Sequence, residues 1–232
     1  EMTSSNKLEK TGIPNVFWLH TETTRYLVTK NLYPGHTVYG EKTYNISGEE
    51  YRVWDAYRSK LSGAIHKGIS TVPIAEKDYI LYLGAASGTT SSHVADIVGP
   101  KGKVFCIEFS ARVARDLLSV SSVRTNMIPI LADARSPEQY RFYVPEVDIL
   151  YQDVAQPDQA KILVDNANYY LKKGGYAFLA IKARSIDVTK SPKEIFKEEV
   201  EYLKNKGFEI IDVVLLDPYD KDHAMVLVQK TV

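Results

Sequence analysis

Asp133, Asp153 and Lys182 each stand just beyond an apolar run of the sequence, where a buried strand is predicted to end. Open α/β sheets keep their binding and catalytic groups at the carboxyl edge of the parallel strands. A helix cap or a solvated loop would explain any one of these charges alone. Because a glycine-rich turn is predicted at the same edge, a shared site is the better interpretation of the three together.

Asp153 and Lys182 follow neighbouring strands, so their side chains can meet at the mouth of a crevice. A free lysine side chain has a pKa of about 10.4 and is normally protonated. A second cation and desolvation would lower that pKa, whereas a carboxylate would orient the amine and raise it. Such a lysine could take the proton of a weakly acidic sugar hydroxyl, or a cation could stabilise the developing alkoxide. The pair therefore suits transfer of a group to a hydroxyl oxygen.

The turn between Gly84 and Gly88 follows the apolar residues 79–83 and precedes a helical pattern that begins at hydroxyl residues suited to an N-cap. Glycine tolerates positive φ and lets backbone N–H groups approach a ligand. The turn lacks the middle glycine of the dinucleotide fingerprint G-x-G-x-x-G and the lysine of a triphosphate-binding loop. With dinucleotides and nucleoside triphosphates disfavoured, the remaining candidate is an adenosine ligand without phosphates, and S-adenosyl-L-methionine fits that description.

Two carboxylates are placed to hold such a ligand. Glu108 ends an apolar run about 20 residues beyond the turn, which is the spacing of a ribose-binding carboxylate. Asp133 follows the next strand and could accept a hydrogen bond from the adenine amino group. A structural βαβ unit with an exposed glutamate is the alternative for Glu108 alone.

A methyl sulfonium needs no acid catalyst, because its leaving group departs neutral. The group that must be activated is therefore the nucleophile that accepts the methyl group.

The order of predicted elements positions these residues. Five alternating strand and helix units begin at residue 79, and a short turn makes the last two strands an antiparallel hairpin. We predict an α/β fold of the class I S-adenosylmethionine-dependent methyltransferase type (Rossmann-like), with a seven-stranded sheet whose last strand is antiparallel. Residues 1–55 are predicted to form a small N-terminal antiparallel β domain and residues 56–232 the methyltransferase domain. The first ten residues are polar, and we expect them to be frayed.

Composition and charge exclude several classes of protein. The 232 residues include 29 Lys+Arg and 29 Asp+Glu, so an RNA substrate would need another component to hold it. No apolar run is long enough to span a bilayer and no signal peptide is recognisable, so we expect a soluble, cytoplasmic protein with no membrane partner. The single cysteine, Cys106, lies in an apolar run and predicts a buried thiol. The five histidines have no metal-ligand spacing, so no metal site is predicted.

Specific segments distributed along nearly the whole chain carry a family resemblance. They are YRSKL at residues 57–61, YLGAASGTTSSHVADIVGP, VFCIEFS, LADARSPEQY, VDILYQDVAQPDQ, FLAIKARSID and DKDHAMV. Together they resemble the fibrillarins, the box C/D ribonucleoprotein 2'-O-methyltransferases. Many methyltransferases share the cofactor segments, whereas DVAQPDQ with IKARSID is far more specific. The absence of a glycine- and arginine-rich segment, which the eukaryotic form has, favours the archaeal type.

The resemblance implies a Lys-Asp-Lys-His tetrad at the target ribose, and it falls on Lys60, Asp153, Lys182 and His223. Lys182 would be the base, Asp153 its orienting partner and Lys60 the second cation. His223 begins the final strand, a position that is compatible with either a role in the chemistry or a role in packing. With the turn residues included, the predicted cofactor-binding residues are Gly84, Ala85, Thr89, Thr90, Glu108, Phe109, Asp133, Ala134, Asp153, Val154, Ala155 and Gln156.

The same resemblance implies a particle with three other components: a Nop-domain scaffold protein, a kink-turn RNA-binding protein and a box C/D guide RNA. The guide would pair with a target in ribosomal RNA or transfer RNA. This agrees with the neutral composition, because an enzyme whose substrate is held by others need not be basic. The local cations that could touch phosphate are Arg58, Lys67, Arg184, Lys190 and Lys193, although such charges are more often simply solvated.

Three alternative functions remain open from the sequence. The first is a methyltransferase with a different substrate, such as a small molecule or a protein glutamine; because an amide would also need activating, the tetrad alone does not exclude it. A non-catalytic scaffold subunit of the same fold is disfavoured by the presence of Lys60, Asp153 and Lys182. An NAD-dependent reductase is disfavoured by the missing glycine of the fingerprint.

Overall fold

The computed structural model describes residues 6–232, and its N-terminal part is a five-stranded antiparallel sheet. Its strands are β1 (Lys7–Lys10), β2 (Val16–His20), β3 (Arg25–Lys30), β4 (Thr43–Ile46) and β5 (Glu49–Val53), in the spatial order β1-β2-β3-β5-β4. The expectation of a frayed N-terminus is wrong for β1, because Leu8 packs on a small apolar cluster of the sheet. Residues 1–5, included in that expectation and in the predicted domain 1–55, lie outside the described residues.

The second sheet has seven strands and follows the predicted arrangement. Its strands are β6 (Tyr79–Leu83), β7 (Lys103–Glu108), β8 (Met127–Leu131), β9 (Val147–Gln152), β10 (Leu171–Lys182), β11 (Phe208–Leu215) and β12 (His223–Lys230). Their spatial order is β11-β12-β10-β9-β6-β7-β8. β12 is antiparallel to both of its neighbours, whereas β8, β7, β6, β9 and β10 are mutually parallel. The prediction of one reversed strand at the end of the chain is confirmed.

Six α-helices, three of which begin at a serine that caps the helix through its side chain, connect the strands within residues 6–232. They are α1 (Lys60–His66), α2 (Thr89–Val98), α3 (Ala111–Val123), α4 (Gln159–Tyr170), α5 (Ala183–Ile186) and α6 (Pro192–Asn205). Ser110 and Ser191 cap α3 and α6 through their side chains. The expected hydroxyl cap of α2 is wrong: Gly88 occupies the N-cap position with φ +95°, because the tight turn needs a left-handed residue there. Among residues 6–232, no helix is long and apolar enough to cross a membrane.

Helices cover both faces of the seven-stranded sheet and bury two apolar layers. On one face, Leu163 of α4 and Ile195 of α6 pack on the sheet. On the other face, Leu61 of α1 and Val94 of α2 share one cluster with Trp54, which follows the N-terminal sheet. The core is therefore continuous from the N-terminal sheet into the rest of the molecule. Cys106 is buried in β7 as predicted, and this burial raises the pKa of its thiol to about 12.

A buried charged network also joins the two sheets. The carboxylate of Asp96 on α2 accepts hydrogen bonds from Arg52 Nη1 on β5 at 2.9 Å and from Arg124 Nη1 after α3 at 2.8 Å. Glu41 makes a second ion pair with Arg52 at 2.6 Å. These side chains are almost entirely removed from solvent, so each charge depends on its partners. The network fixes α2, and thus the glycine turn from which α2 starts, to the N-terminal sheet.

Candidate active site

A cavity of about 680 Å³ opens at the carboxyl edge of the seven-stranded sheet. Every residue predicted to bind the cofactor lines it, and so do Lys60, Asp153 and Lys182 of the predicted tetrad. His223 is the exception and does not line the cavity. The predicted lining residues that the structure brings together are Lys60, Gly84, Ala85, Thr89, Thr90, Glu108, Phe109, Asp133, Ala134, Asp153, Val154, Ala155, Gln156 and Lys182. Tyr57 and Arg135, which sequence reasoning did not place in the site, also line it, and so does Arg58, which was named only as a possible phosphate contact.

The glycine turn is held tightly against the ends of the neighbouring strands. The N–H groups of Gly84 and Ala85 donate to the carbonyl of Ile107 at 2.9 and 3.0 Å. Gly84 has φ +79°, and a Cβ atom added there would lie 2.1 Å from the carbonyl oxygen of Asp153. Glycine is thus required at this position both by backbone conformation and by the close approach of Asp153.

We expect Gly84→Ala to lower the free energy of unfolding by about 3 kcal/mol in total. About 1 kcal/mol follows from positive φ in a residue with a Cβ atom, and about 2 kcal/mol from displacement of the Asp153 carbonyl. Gly68→Ala is the matched control, because Gly68 has φ +85° but nothing within 4 Å of an added Cβ atom. Urea unfolding of both variants measures the difference. Equal losses would show that the contact with Asp153 has no energetic consequence.

Three charged side chains from separate elements meet at one end of the cavity. Lys60 Nζ lies 3.1 Å from Asp153 Oδ2, and Lys182 Nζ lies 2.9 Å from Asp153 Oδ1. Lys60 begins α1, whereas Asp153 and Lys182 stand at the carboxyl ends of β9 and β10. All three side chains are about one-fifth exposed, so they are accessible from the cavity but largely desolvated. One carboxylate therefore holds two ammonium groups around a site that a substrate can reach.

The position of Lys60 is fixed by a hydrogen-bonded N-cap. Ser59 Oγ, at the N-cap of α1, accepts hydrogen bonds from Trp54 Nε1 at 2.8 Å and Thr90 Oγ1 at 2.9 Å. The hydroxyl group of Thr90 therefore donates its proton to another protein group, Ser59, although Thr90 lines the cavity. This arrangement connects the start of α1 to the first turn of α2.

Mutual pairing shifts the pKa values of this cluster. Burial alone would raise the pKa of Asp153, but the ammonium groups of Lys60 and Lys182 outweigh it and hold that pKa below its ordinary value. Burial alone would lower the pKa of Lys60, but Asp153 and, to a lesser extent, Asp220 raise it above its ordinary value. Asp153 is thus an anion and Lys60 a cation at neutral pH.

His223 lies at the margin of the charged cluster. It begins β12 directly opposite Lys182 in the sheet register, as the sequence predicted for the start of the last strand. Its Nδ1 lies 3.0 Å from Asp220 Oδ1, and Asp220 Oδ2 lies 3.4 Å from Lys60 Nζ. Asp220 was missed by sequence reasoning, although it belongs to an acidic turn, DPYDKD, that precedes the last strand.

The other end of the cavity carries the groups predicted for an adenosine. Glu108 Oε1 accepts the N–H of Ala86 at 2.8 Å and Oε2 accepts the N–H of Ser110 at 2.9 Å, so the carboxylate is oriented at the end of β7. The ring of Phe109 is 68% exposed at the cavity wall, which is unusual for a large apolar side chain and suits stacking on a base. An oriented carboxylate, an aromatic face and a glycine turn fit an adenosine.

Asp133 has a partner that the sequence did not indicate. Its carboxylate contacts the Arg135 guanidinium, with the shortest distance, 2.9 Å, from Nη2. The hydrogen bonds from Arg135 lower the pKa of Asp133. Asp133 lines the cavity as an oriented anion and still has lone pairs to accept another hydrogen bond. In residues 6–232, no group of three or more His, Cys, Asp or Glu side chains is arranged to hold a metal ion.

Comparisons with known proteins agree with this geometry. Residues 8–232 match the family model described as Fibrillarin. The chain is 60% identical over 200 residues to a fibrillarin-like rRNA/tRNA 2'-O-methyltransferase of Staphylothermus marinus, covering 86% of each chain. It superimposes with a TM-score of 0.89 on Aeropyrum pernix fibrillarin with natively bound S-adenosyl-L-methionine, at 52% identity over 96% of this chain and 97% of that one. A fibrillarin/Nop5p complex contains a similar chain, with a TM-score of 0.87 and 39% identity over 96% of this chain and 100% of that one.

Proposed function

The chain belongs to the fibrillarin family, and on that basis we propose that it is an RNA 2'-O-methyltransferase acting on ribosomal and transfer RNA. Its cofactor is S-adenosyl-L-methionine, which the similar Aeropyrum pernix protein binds. The observation that supports this function most directly is the pairing of Lys60 and Lys182 with Asp153 at 3.1 and 2.9 Å in the cavity beside the glycine turn. That cluster has the groups needed to activate a ribose hydroxyl.

Each part of S-adenosyl-L-methionine has its own set of predicted binding residues. The carboxylate of Glu108 would accept the ribose hydroxyls, and Phe109 would stack on the adenine. Asp133, held by Arg135, would accept the adenine amino group. The backbone of the turn at Gly84 and the segment from Asp153 to Gln156 would enclose the methionine end. When bound, the cofactor supplies an electrophilic methyl group on a sulfonium sulfur.

The chain's own contribution to the reaction is to activate the target oxygen. Lys182 Nζ, in its neutral form, would take the proton of the ribose 2'-hydroxyl as that oxygen attacks. Asp153 would hold the amine in position, and its two oxygens keep both lysine nitrogens next to the same carboxylate. Lys60, which remains protonated, would stabilise the negative charge that develops on the oxygen.

The RNA must approach past Tyr57 and Arg58, which line the cavity at the N-terminal side of Lys60. Tyr57 is 69% exposed, and Arg58 lies 5.3 Å from the centre of the Tyr39 ring. An exposed aromatic ring and a guanidinium that both line the cavity suit contact with a nucleotide and its phosphate. The zero formal charge of the chain nevertheless supports the idea that other components provide most of the affinity for RNA.

A Nop-domain protein is the first of these components, as in the fibrillarin/Nop5p complex. We further propose that a kink-turn RNA-binding protein and a box C/D guide RNA complete the particle, and that the guide selects the methylated nucleotide by base pairing. Location in the cytoplasm is part of the same proposal. Such a division of labour explains why a neutral catalytic subunit would act on a polyanionic substrate.

Reconstitution tests this function directly. The chain is combined with a Nop-domain protein, a kink-turn protein, a guide RNA and a complementary target, and modified riboses are mapped after incubation with methyl-labelled cofactor. We expect one 2'-O-methyl group at the position that the guide specifies, which moves when the guide sequence is shifted. Asp153→Ala, which leaves two ammonium groups without their shared carboxylate, should abolish it. Label in a protein glutamine and none in RNA would overturn the proposal.

A further inference from the structure

Asp220 connects the one predicted site residue outside the cavity with the residues inside it. Its Oδ1 lies 3.0 Å from His223 Nδ1, and its Oδ2 lies 3.4 Å from Lys60 Nζ. Lys60 in turn contacts Asp153, which contacts Lys182. Cationic and anionic groups therefore alternate from Lys182 to Asp220, and His223 lies at the end of the series.

The backbone holds Asp220 at this place. The N–H groups of Tyr219 and Asp220 both donate to the carbonyl of Leu216, at 2.8 and 3.2 Å. The same turn is anchored to the end of β10, because the N–H of Ala183 donates to the carbonyl of Asp222 at 3.1 Å. A carboxylate on this turn is therefore positioned relative to the end of β10, and thus to Lys182, by main-chain bonds.

We propose that Asp220 is a positioning residue, which directs the Lys60 ammonium toward the reacting oxygen, and that His223 acts on the reaction through Asp220. This inference rests on the proposed methyl transfer. An ammonium has three N–H donors. Contacts with Asp153 and Asp220 use two of them, so the third is left for the oxygen of a ribose in the cavity that Lys60 lines.

The contacts of His223 indicate how it acts on Asp220. Its Nδ1 lies 2.6 Å from the carbonyl oxygen of Lys221 as well as 3.0 Å from Asp220 Oδ1. Both neighbours are acceptors, so the tautomer assigned from them carries its proton on Nδ1. The hydrogen bond to the Lys221 carbonyl fixes the ring, and the fixed ring keeps its Nδ1 in contact with the Asp220 carboxylate. A role of His223 through Asp220 explains why His223 lies outside the cavity, whereas direct contact with substrate would require it to line the cavity.

Asp220 also affects the charge of the cluster. The charged or titratable groups that contact it are Lys60 from α1 and His223 from β12, and beyond them lie Asp153, directly after β9, and Lys182 of β10. A negative charge favours the protonated form of neighbouring amines. Asp220 contributes to the raised pKa of Lys60, so without its charge Lys60 should lose its proton at lower pH, and the alkaline limb of the rate profile should move to lower pH. A role in folding alone would not move that limb.

The test compares Asp220→Asn, Asp220→Ser and Asp220→Glu in the reconstituted particle, by single-turnover methylation across neutral and alkaline pH. We expect the two neutral variants to lower the plateau rate about tenfold or more and to shift the alkaline limb to lower pH, with cofactor affinity unchanged. Asp220→Glu should restore both quantities in large part. Asp217→Asn is the matched control, because Asp217 is an exposed residue of the same turn. It should behave as the wild type.

The part assigned to His223 is tested by a double-mutant cycle. His223→Gln should slow the reaction in the wild-type background and have little further effect in Asp220→Asn. Equal effects of His223→Gln in both backgrounds would show that it acts independently of Asp220. Neutral Asp220 variants with wild-type rate and pH profile would overturn the proposal for Asp220. An inactive wild-type particle would instead count against the proposed function.

Discussion

Replacing Lys182 by alanine is expected to slow methylation of guide-paired RNA by about a thousandfold, while S-adenosyl-L-methionine binds as before. In the proposed reaction, Lys182 Nζ lies 2.9 Å from Asp153 Oδ1 and takes the proton of the ribose hydroxyl. Alanine has no group to accept that proton. Asp153 still pairs with Lys60 at 3.1 Å, so the substitution leaves no carboxylate without a partner. The loss should therefore appear in the chemical step and not in folding.

Lys182→Arg separates proton transfer from charge. Arginine keeps the positive charge next to Asp153 but is not deprotonated in proteins, so it cannot act as a base. If Lys182 is the base, the arginine variant should be about as slow as the alanine variant. If Lys182 only stabilises charge on the oxygen, arginine should retain a substantial part of the rate.

Single-turnover methylation and calorimetric titration of the cofactor measure the two quantities for each variant. Lys161→Ala is the control, because Lys161 pairs with Asp165 on the solvent-exposed side of α4, away from the cavity. It should match the wild type in both measurements. A rate for Lys182→Arg above about one-tenth of the wild-type rate would exclude Lys182 as the base and assign it an electrostatic role.

The sequence predicted the part of the site that depends on parallel strands. Asp133, Asp153 and Lys182 follow apolar runs, and the ends of parallel strands meet at one edge, so their convergence could be inferred from pattern alone. Lys60 and His223 came only from the family resemblance. Lys60 begins a helix that enters from the N-terminal part, and no periodicity indicates which strand ends that helix reaches.

Features that depend on side-chain packing were not predictable in the same way. The exclusion of His223 from the cavity and its link through Asp220 depend on how a turn folds back on α1. The pairing of Asp133 with Arg135 depends on a local bend after β8. Apolar alternation and capping residues indicate elements, but such contacts are fixed only once the elements pack together.

The largest expected effect on stability is that of Asp96→Ala, which should lower the free energy of unfolding by about 3–5 kcal/mol. The Asp96 carboxylate is fully buried and bonds Arg52 Nη1 at 2.9 Å and Arg124 Nη1 at 2.8 Å. It also accepts the hydroxyl of Thr29 at 2.7 Å and the N–H of Leu32 at 3.1 Å. Without it, two buried guanidinium groups lose an anion, and the carboxylate's polar partners lose their acceptor.

Denaturant unfolding of Asp96→Ala and of Asp165→Ala provides the comparison. Asp165 also pairs with a cation, Lys161 at 2.7 Å, but on an exposed helix surface, so its removal should cost less than about 0.5 kcal/mol. High salt should weaken the Asp165 contribution and leave that of Asp96 nearly unchanged, because buried pairs are poorly screened. A loss below about 1 kcal/mol for Asp96→Ala would contradict the importance assigned to the network.

The same measurement tests whether residues 1–55 form a separate domain, as the sequence predicted. Arg52, Thr29 and Leu32 belong to the N-terminal part and Asp96 to α2, so the network crosses the predicted boundary. Trp54 and Leu61 also share one apolar cluster across it. We therefore expect the wild-type chain to unfold in a single transition, observed identically by tryptophan fluorescence and circular dichroism. Two separate transitions would mean that the N-terminal sheet is stable by itself and that the Asp96 network only docks it.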